Sequence, residues 1–367
     1  MPLALPLVLP LLVAIGVPLV FLYAVRRLDL YASGGFGVVI RCFLWGFVAF
    51  LASYLVNGTA LRWFTGRAVR TVVAPVVEEI FKSMALAYYV RRPEFTYFVD
   101  GAIYGFATGT AFAIVEALFY LSHASLDGGM ALSVNRAFST SLMHGTTSAL
   151  VGVAMGRFRF KKSPTRLLAL VSGLGMAMAL HLTFNWLVTT HDVTTLVLAG
   201  AMGLGLGGLA TVALLIRQGL REEKQWLRES LGLDVGVSAA ESAVIQRLAD
   251  LDELLAPITQ HFGAEKRRQV EAFLRLQAQL GLKSKAQSLS QDARLAAQLG
   301  EQVAAMQREM DVLRRTVGVY CMAYVRQILP ATTEPVWAQL ELALAQATPS
   351  GHNVWSSLSD RLDDGVT

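Results

Sequence analysis

Cysteine and charge are both scarce in this chain. Only two cysteines, Cys42 and Cys321, occur among its 367 residues, so we expect neither a structural disulfide nor a thiolate metal site. Charged residues make up 16% of the chain, whereas 54% of it is hydrophobic. Soluble domains rarely have this balance, which is typical of proteins that cross a membrane several times. The composition therefore predicts a polytopic membrane protein.

Three familiar sequence patterns are also missing. The chain has no His-Glu-x-x-His zinc motif and no Gly-x-Ser-x-Gly nucleophile motif. No lysine or arginine precedes the first apolar run, so we expect no cleaved signal peptide. Hydrolytic chemistry in this chain would need a different set of residues.

The basic residues are unevenly distributed. Residues 1–216 contain 15 Lys and Arg against 8 Asp and Glu, whereas residues 217–367 contain 17 against 19. The positive excess belongs to the hydrophobic part and its loops, and we expect no nucleic-acid partner. The same shift divides the chain into two predicted domains, a membrane domain at 1–216 and a helical domain at 217–367.

Seven hydrophobic runs are each close to the roughly 20 residues that a spanning helix needs. They lie at 3–25, 36–56, 69–90, 98–121, 137–155, 167–188 and 194–216. We therefore expect an all-α fold, a membrane bundle of about seven transmembrane helices followed by a cytoplasmic helical domain.

Lysine and arginine indicate how this bundle is oriented. They follow the first, third, fifth and seventh runs, as at Arg91, Arg92, Lys161 and Lys162, and only the loop at 57–70 breaks the pattern. Cytoplasmic loops carry such an excess, so the N-terminus is expected outside and the C-terminal domain in the cytoplasm. The expected location is a bacterial inner membrane.

Several ionisable side chains lie inside the hydrophobic runs, where they are costly and by default indicate a functional site. They are Glu78, Glu79 and Lys82 in the third run, Glu116 in the fourth, His144 in the fifth and His181 in the sixth. At about 1.5 Å of rise per residue, the carboxylates and imidazoles lie roughly 9 to 14 Å from the outer ends of their runs. This shared depth predicts one site built by four helices. The alternative is a structural ion pair between Lys82 and either Glu78 or Glu79 on the same helix.

Small residues recur at every fourth position in two runs. Gly101, Gly105 and Gly109 follow Asp100, and Ser148, Gly152 and Gly156 follow His144. A smooth face of this kind lets a neighbouring helix approach closely. We expect the glycines to serve packing, with Glu116 near the same face.

The polar residues have the composition of a hydrolytic site. A glutamate such as Glu78 could take a proton from a water that His144 orients. His181 and Asn185 lie one helical turn apart and could donate two hydrogen bonds to a developing oxyanion. Glutamate and histidine are also ordinary zinc ligands. The residues alone leave a metal-free and a metal-dependent hydrolase open.

Residues 69–187 resemble the PrsW-like intramembrane proteases, relatives of the CAAX prenyl endopeptidases of the Rce1 type. The resemblance rests on four motifs in the same order, each inside a hydrophobic run. They are Pro75-x-x-Glu78-Glu79-x-x-Lys82, Asp100-Gly101-x-x-Tyr104-Gly105-x-x-x-Gly109 with Phe112-Ala113-x-x-Glu116, Arg136 with His144 and Gly152, and His181-x-x-x-Asn185.

The resemblance implies an endopeptidase that cuts a membrane-anchored protein, here near the outer leaflet. Glu78 and Glu79 would be the catalytic carboxylates, with Glu78 as the base. His144 would help to activate water, and His181 and Asn185 would form the oxyanion pocket. Lys82, Asp100 and Glu116 would support these residues.

Two departures refine the resemblance. The prenyl-protease branch has an arginine one position beyond Lys82, so the lysine points to the PrsW branch and away from a prenyl-cysteine substrate. Ala117 stands where the family often has asparagine, so no role of that asparagine is carried over. The family has been described both as metalloproteases and as glutamic proteases. We favour the metal-free form without a cofactor, with zinc as the alternative.

The region at 217–367 lies outside the resemblance and has a strongly helical composition. Apolar residues alternate four and three apart along a heptad seam. They are Leu299, Val303, Met306, Met310, Leu313, Val317, Tyr320 and Tyr324. The seam faces either other helices of the same tail or a coiled-coil partner. We expect a regulatory domain that binds a second copy or a cytoplasmic partner, with a polar end from about residue 349.

Two other functions stay open beside the protease, which would have membrane lipids and a membrane-anchored substrate as partners. One is a non-proteolytic membrane scaffold, because related folds can lose catalysis and keep their packing. The other is a transporter whose buried charges carry protons or ions, although the chain has no obvious inverted repeat.

Overall fold

Every regular element in the described part of the chain is a helix. The computed structural model describes residues 5–31, 34–123, 129–191, 194–230 and 251–328. The helices are α1 (Leu5–Arg27), α2 (Phe36–Ala60), α3 (Gly66–Ala68), α4 (Ala74–Tyr89), α5 (Phe98–Ser122), α6 (Gly129–Phe138), α7 (Thr140–Arg157), α8 (Ser163–Thr190), α9 (Thr195–Ser230), α10 (Leu251–Leu289), α11 (Ala293–Val317) and α12 (Val319–Ile328), with a π-helical segment, Val69–Val73, before α4. The all-α prediction is confirmed for these residues.

Five helices of the described residues are long and apolar enough to cross a membrane. They are α1 from Val8, α2, α5, α8 and α9. The runs at 69–90 and 137–155 instead contain α4 and α7, which have 16 and 18 residues. Both helices bury ionisable or hydroxyl side chains inside the bundle, where they avoid lipid. Their shorter length and polar side chains distinguish α4 and α7 from the five longer helices.

Helices α5 and α7 pack through the predicted small-residue faces. A β-carbon added at Gly152 would lie 1.9 Å from the carbonyl oxygen of Gly101. One added at Gly109 would lie 2.1 Å from the carbonyl oxygen of His144. The two backbones are therefore in direct contact, as the four-residue spacing predicts. The contact sets His144 against the middle of α5.

The chain enters α4 through one turn of π-helix. The N–H of Ala74 donates to the carbonyl of Val69, five residues back, instead of to that of Arg70. The next residue is Pro75, which has no N–H to donate. The Arg70 carbonyl is therefore left without a backbone partner within its own helix.

Helices α10 to α12 share a second apolar core. Helix α10 breaks at Gly263, whose φ of 83° favours glycine. Phe273 and Leu274 of α10 lie in this core together with Met310 of α11. Of the predicted seam, Met310 and Val317 are buried there, and Val303, Met306, Leu313 and Tyr324 pack against it. Tyr320 is 87% exposed. The seam thus packs mainly inside the chain, the first of the two alternatives.

The C-terminal helices contact the loop between α4 and α5 and the last turn of α9. Lys283 of α10 donates to the carbonyl of Pro93 over 2.8 Å, and Lys285 pairs with Glu229 over 2.8 Å. Helix α9 runs without a break through residue 216, where the domain boundary is predicted. The two-domain division therefore stays a prediction. The polar end from residue 349 lies outside the described residues.

Candidate active site

Six of the eight predicted site residues lie together between four helices. They are Glu78, Glu79 and Lys82 of α4, Glu116 of α5, His144 of α7 and His181 of α8. The rings of His144 and His181 are perpendicular, with centroids 4.8 Å apart. Residues of similar depth in four separate runs thus form one cluster.

Glu79 is the centre of the cluster and is fully buried. Its Oε1 accepts hydrogen bonds from Lys82 Nζ at 2.6 Å, from His181 Nδ1 at 2.8 Å and from Thr147 Oγ1 at 3.0 Å. Buried charges persist when they are paired and hydrogen-bonded, and Lys82 supplies the opposite charge. Glu79 is therefore suited to holding other side chains in place.

Glu79 fixes the orientation of His181. A carboxylate only accepts hydrogen bonds, so a neutral His181 carries its proton on Nδ1 and presents a lone pair at Nε2. This Nε2 lies 3.7 Å from Glu78 Oε2, beyond direct hydrogen-bond length. The two atoms could share one water molecule or one metal ion.

His144 is held from both sides of its ring. Lys82 Nζ lies 3.0 Å from Nδ1, and Glu116 Oε2 lies 2.9 Å from Nε2. A lysine ammonium only donates, so Nδ1 accepts and the ring proton lies on Nε2, facing Glu116. Arg136 pairs with the same Glu116 oxygen over 2.7 Å. Both nitrogens of His144 are therefore engaged.

Glu78, unlike Glu79, faces open space. It borders a cavity of about 130 Å³ that can hold a few water molecules. No donor among the described residues bonds to its carboxylate. The cavity is lined by Phe50, Ser53, Tyr54, Asn57, Val69, Arg70, Ala74, Glu78, Phe112, Glu116, Phe119 and Tyr120. Its walls combine aromatic side chains with two carboxylates.

Two predicted site residues lie outside the cluster. The Nδ2 of Asn185 donates to the Arg70 carbonyl over 2.9 Å, which satisfies the group that the π-turn and Pro75 leave unpaired. Asp100 lies at the start of α5 and accepts from the backbone N–H of Thr96 at 2.6 Å, so it caps the helix. Both contacts are structural.

Two residues of the site were missed by the sequence reasoning. Thr147 donates to Glu79, and Asn57 lines the cavity next to Glu78. The Oδ1 of Asn57 is buried without a hydrogen-bond partner among the described residues. The spacing of Thr147, three residues after His144 on α7, was the available signal for the first. Asn57 lies beyond the run at 36–56, and nothing in the sequence marked it.

The donor set of a metal site is present. One ligand atom each from Glu78, His144 and His181 lie within 4.8 Å of one another, and all three residues are buried. Two imidazoles and a carboxylate form a common catalytic zinc set, and Glu79 orients His181 as carboxylates orient metal-bound histidines. His144 fits less well, since a metal would have to displace Lys82 or Glu116 from its ring.

Residues 34–216 match the model of a protein family described as PrsW family intramembrane metalloprotease. The match covers α2 to the membrane part of α9 and includes every residue of the cluster. No curated protein and no solved structure matches the chain. The match and the spanning helices support an integral-membrane protease.

Proposed function

We propose that this chain is an endopeptidase, which cuts a membrane-anchored protein within or beside the bilayer. The premise is that residues 34–216 form a PrsW-family membrane region. One observation carries the proposal most directly. Glu78 borders a cavity and has no hydrogen-bond donor among the described residues, and its Oε2 lies 3.7 Å from His181 Nε2, the ring nitrogen that carries a lone pair. We also propose, from the shared motifs, that this chain is related to the CAAX prenyl endopeptidases.

Glu78 and His181 position one water molecule between them. Glu78 takes the proton of this water as its oxygen attacks the scissile carbonyl carbon. The tetrahedral intermediate collapses when the same proton passes from Glu78 to the amide nitrogen, which leaves as an amine. The water oxygen ends in the new carboxylate, so the reaction needs no other reactant. General-base catalysis of this kind contributes about 10²- to 10⁴-fold to the rate.

Glu79, Lys82 and His144 act as positioning residues in this scheme. Glu79 holds His181 through Nδ1, and Lys82 links Glu79 to His144. Reacting groups must be held close to their productive geometry, and a displacement of 1 Å can cost about 10²-fold. The buried network therefore serves catalysis without touching the substrate.

This scheme revises the roles expected from the resemblance: Glu79 and His144 become positioning residues, and His181 holds the water. The oxyanion donor changes as well. Asn185 was the sequence-based candidate, together with His181. In the described structure the Nδ2 of Asn185 bonds to the Arg70 carbonyl, whereas Asn57 lines the cavity and makes no hydrogen bond. We therefore assign the Nδ2 of Asn57 as the donor that stabilises the intermediate, since amide donors do this in other hydrolases. Neutral His181 has no donor left for this role, because its Nδ1–H donates to Glu79 and its Nε2 carries a lone pair.

A metal-dependent form of the same reaction is the second candidate, favoured by the grouping of Glu78, His144 and His181. A divalent metal bound by these residues would polarise the scissile carbonyl and lower the pKa of a bound water. We favour the metal-free form because both nitrogens of His144 already have partners.

Metal removal separates the two forms. The purified full-length protein is treated with 1,10-phenanthroline, and both its metal content and its cleavage of a membrane substrate are measured. We expect no stoichiometric metal before treatment and no change in cleavage after it. Stoichiometric zinc in the active protein, with activity lost on chelation and restored by added zinc, would establish the metal-dependent form.

The proposed topology is the one predicted from the distribution of lysine and arginine in the loops. Seven helices, including α4 and α7, would cross a bacterial inner membrane, with the C-terminal helices in the cytoplasm. The cluster then lies in the outer half of the bilayer, so the cut falls near the outer leaflet. A second copy or a cytoplasmic protein would bind the region at 217–367.

The proposed function is tested by comparing protein N-termini in cells that express the wild type or the Glu78→Gln variant at matched levels. We expect a new N-terminus at the membrane edge of a substrate protein with the wild type only. Identical N-termini under several stress conditions would contradict proteolysis and favour the scaffold.

A further inference from the structure

A cleft far from the candidate active site has one basic end and one apolar end. It lies where the connection between α7 and α8 meets the start of α11. Two adjoining cavities, of about 370 and 450 Å³, share the residues Arg159, Ser163, Arg166 and Asp292. Nothing in the proposed protease mechanism uses this cleft.

The basic end carries four cations. Arg159, Lys161, Lys162 and Arg166 line it, and none of them forms an ion pair with a described residue. The one carboxylate there, Asp292, accepts from the backbone N–H groups of two residues of its own helix and caps α11. Helices α8 and α11 both begin here and add partial positive charge. The cavity is therefore electropositive.

Arg159 is the unusual member of this group because it is 4% exposed. Its two terminal nitrogens donate to the carbonyls of Thr96 and Arg92 over 3.0 and 3.3 Å, and its Nε has no partner among the described residues. Burial lowers the pKa of Arg159 to about 10, so the side chain stays charged at neutral pH. The guanidinium carbon also lies 5.3 and 5.0 Å from the ring centroids of Phe95 and Phe160, so the charge is fixed in the wall of the cavity, where it attracts an anion.

Beyond the residues that it shares with the basic end, the other end of the cleft is lined by apolar side chains and by Arg91. The apolar ones are Ala87 of α4, Val90 directly after it, Met155 of α7, and Leu167 and Leu170 of α8. The neighbouring α8 surface exposes Leu167 and Leu168 at 62% and 68%, as a lipid-facing helix does. The cleft thus runs from an apolar crevice between spanning helices to a cationic opening at the membrane edge.

We propose that this cleft binds an anionic diacyl phospholipid, whose phosphate contacts Arg159, Lys162 and Arg166 and whose acyl chain lies between α4 and α8. Basic pockets between spanning helices at the cytoplasmic face bind anionic head groups in other proteins. The apolar crevice favours a lipid over a soluble phosphate. An acyl chain covers the apolar side chains of the crevice, whereas a phosphate leaves them exposed to water, which is unfavourable. The wall formed by Asp292 and Leu295 makes the lipid a bridge to the C-terminal helices.

The test counts lipids retained by the full-length protein in native mass spectrometry. The detergent-solubilised wild type is titrated with dioleoyl phosphatidylglycerol or, separately, with dioleoyl phosphatidylcholine. The site variant is Lys162→Gln/Arg166→Gln, which removes two exposed charges and keeps the buried Arg159. The matched control is Arg62→Gln/Arg67→Gln, which removes two exposed charges from a different loop. Inorganic phosphate is added as a soluble competitor.

We expect the wild type to retain one phosphatidylglycerol in preference to phosphatidylcholine. The site variant should bind it roughly 30-fold more weakly, since each basic residue near a membrane contributes about fivefold, and the control should match the wild type. Equal retention of both lipids, or equal losses in both variants, would overturn the proposal. Displacement of the lipid by millimolar phosphate would show a soluble-anion site instead.

Discussion

Glu78→Gln reduces substrate cleavage by about 10²- to 10⁴-fold, with the thermal unfolding midpoint unchanged. The amide keeps the size of the side chain but cannot take a proton from water. Glu78 makes no hydrogen bond with described residues and borders a cavity, so little structure depends on its charge. Initial cleavage rates of the purified variant, set against its unfolding midpoint in detergent, measure both effects.

Glu79→Gln is the matched comparison, one residue away on the same helix. It leaves the buried Lys82 without a carboxylate partner, a change that costs about 3–5 kcal/mol when a buried ion pair is broken. Cys42 and Cys321 are free and buried, so a thiol-reactive dye reports unfolding of both helical regions. We expect Glu79→Gln to unfold at a clearly lower temperature.

The contrast between the two variants decides the assignment. A Glu78→Gln protein that cleaves at the wild-type rate would remove Glu78 from the mechanism. If both variants lost stability equally, the two carboxylates would form one structural network, which is the ion-pair alternative raised by the sequence.

Gly152→Ala destabilises the membrane region by about 1–3 kcal/mol or more, the usual range for overpacking. The new β-carbon would lie 1.9 Å from the carbonyl oxygen of Gly101. This atom belongs to the backbone of α5, so no side-chain rotation relieves the clash and the two helices must separate. The unfolding midpoint in detergent measures the loss.

Gly175→Ala on α8 is the control for the alanine itself. A β-carbon there has no atom within 4 Å. Alanine favours a helix over glycine by up to about 1 kcal/mol, so this variant should be neutral or slightly more stable. A Gly152→Ala protein as stable as Gly175→Ala would contradict the close contact of α5 and α7.

Depth in the hydrophobic runs was enough to group the polar residues but not to pair them. Glu78, Glu79, Glu116, His144 and His181 were expected at one level, and the structure brings them together. Which carboxylate is enclosed and which faces a cavity depends on the rotation of α4 about its axis. Adjacent residues point about 100° apart on a helix, and only the positions of the neighbouring helices decide between them.

Asn185 illustrates a different limit of sequence reasoning. One turn from His181, it has the spacing of an oxyanion donor, yet its amide serves the carbonyl of Arg70. That carbonyl lacks a partner only because the π-turn and Pro75 together remove two donors. A local irregularity in α4 thus determines the role of a side chain on α8, and no periodic pattern reveals it.

Burial alone did not decide which helices could be recognised from their hydropathy. The buried α5 has 25 residues and forms a long apolar run, whereas α4 and α7 have 16 and 18 residues and carry polar side chains of the cluster. In the tail, the four-and-three spacing located the seam on α11. The spacing alone did not identify the partner of this seam, which is mainly α10 of the same chain.

Helix α9 has 36 residues and is therefore about 54 Å long, well beyond the roughly 30 Å of a hydrocarbon core. Before its midpoint Gly208 packs against Thr146, which lies two residues from His144, and near its C-terminal end Leu227 is buried in the core of the C-terminal helices. A helix without a break acts as a stiff rod. The same helix therefore packs against the C-terminal core at Leu227 and against α7 within one turn of His144, which joins the two regions through a single continuous element.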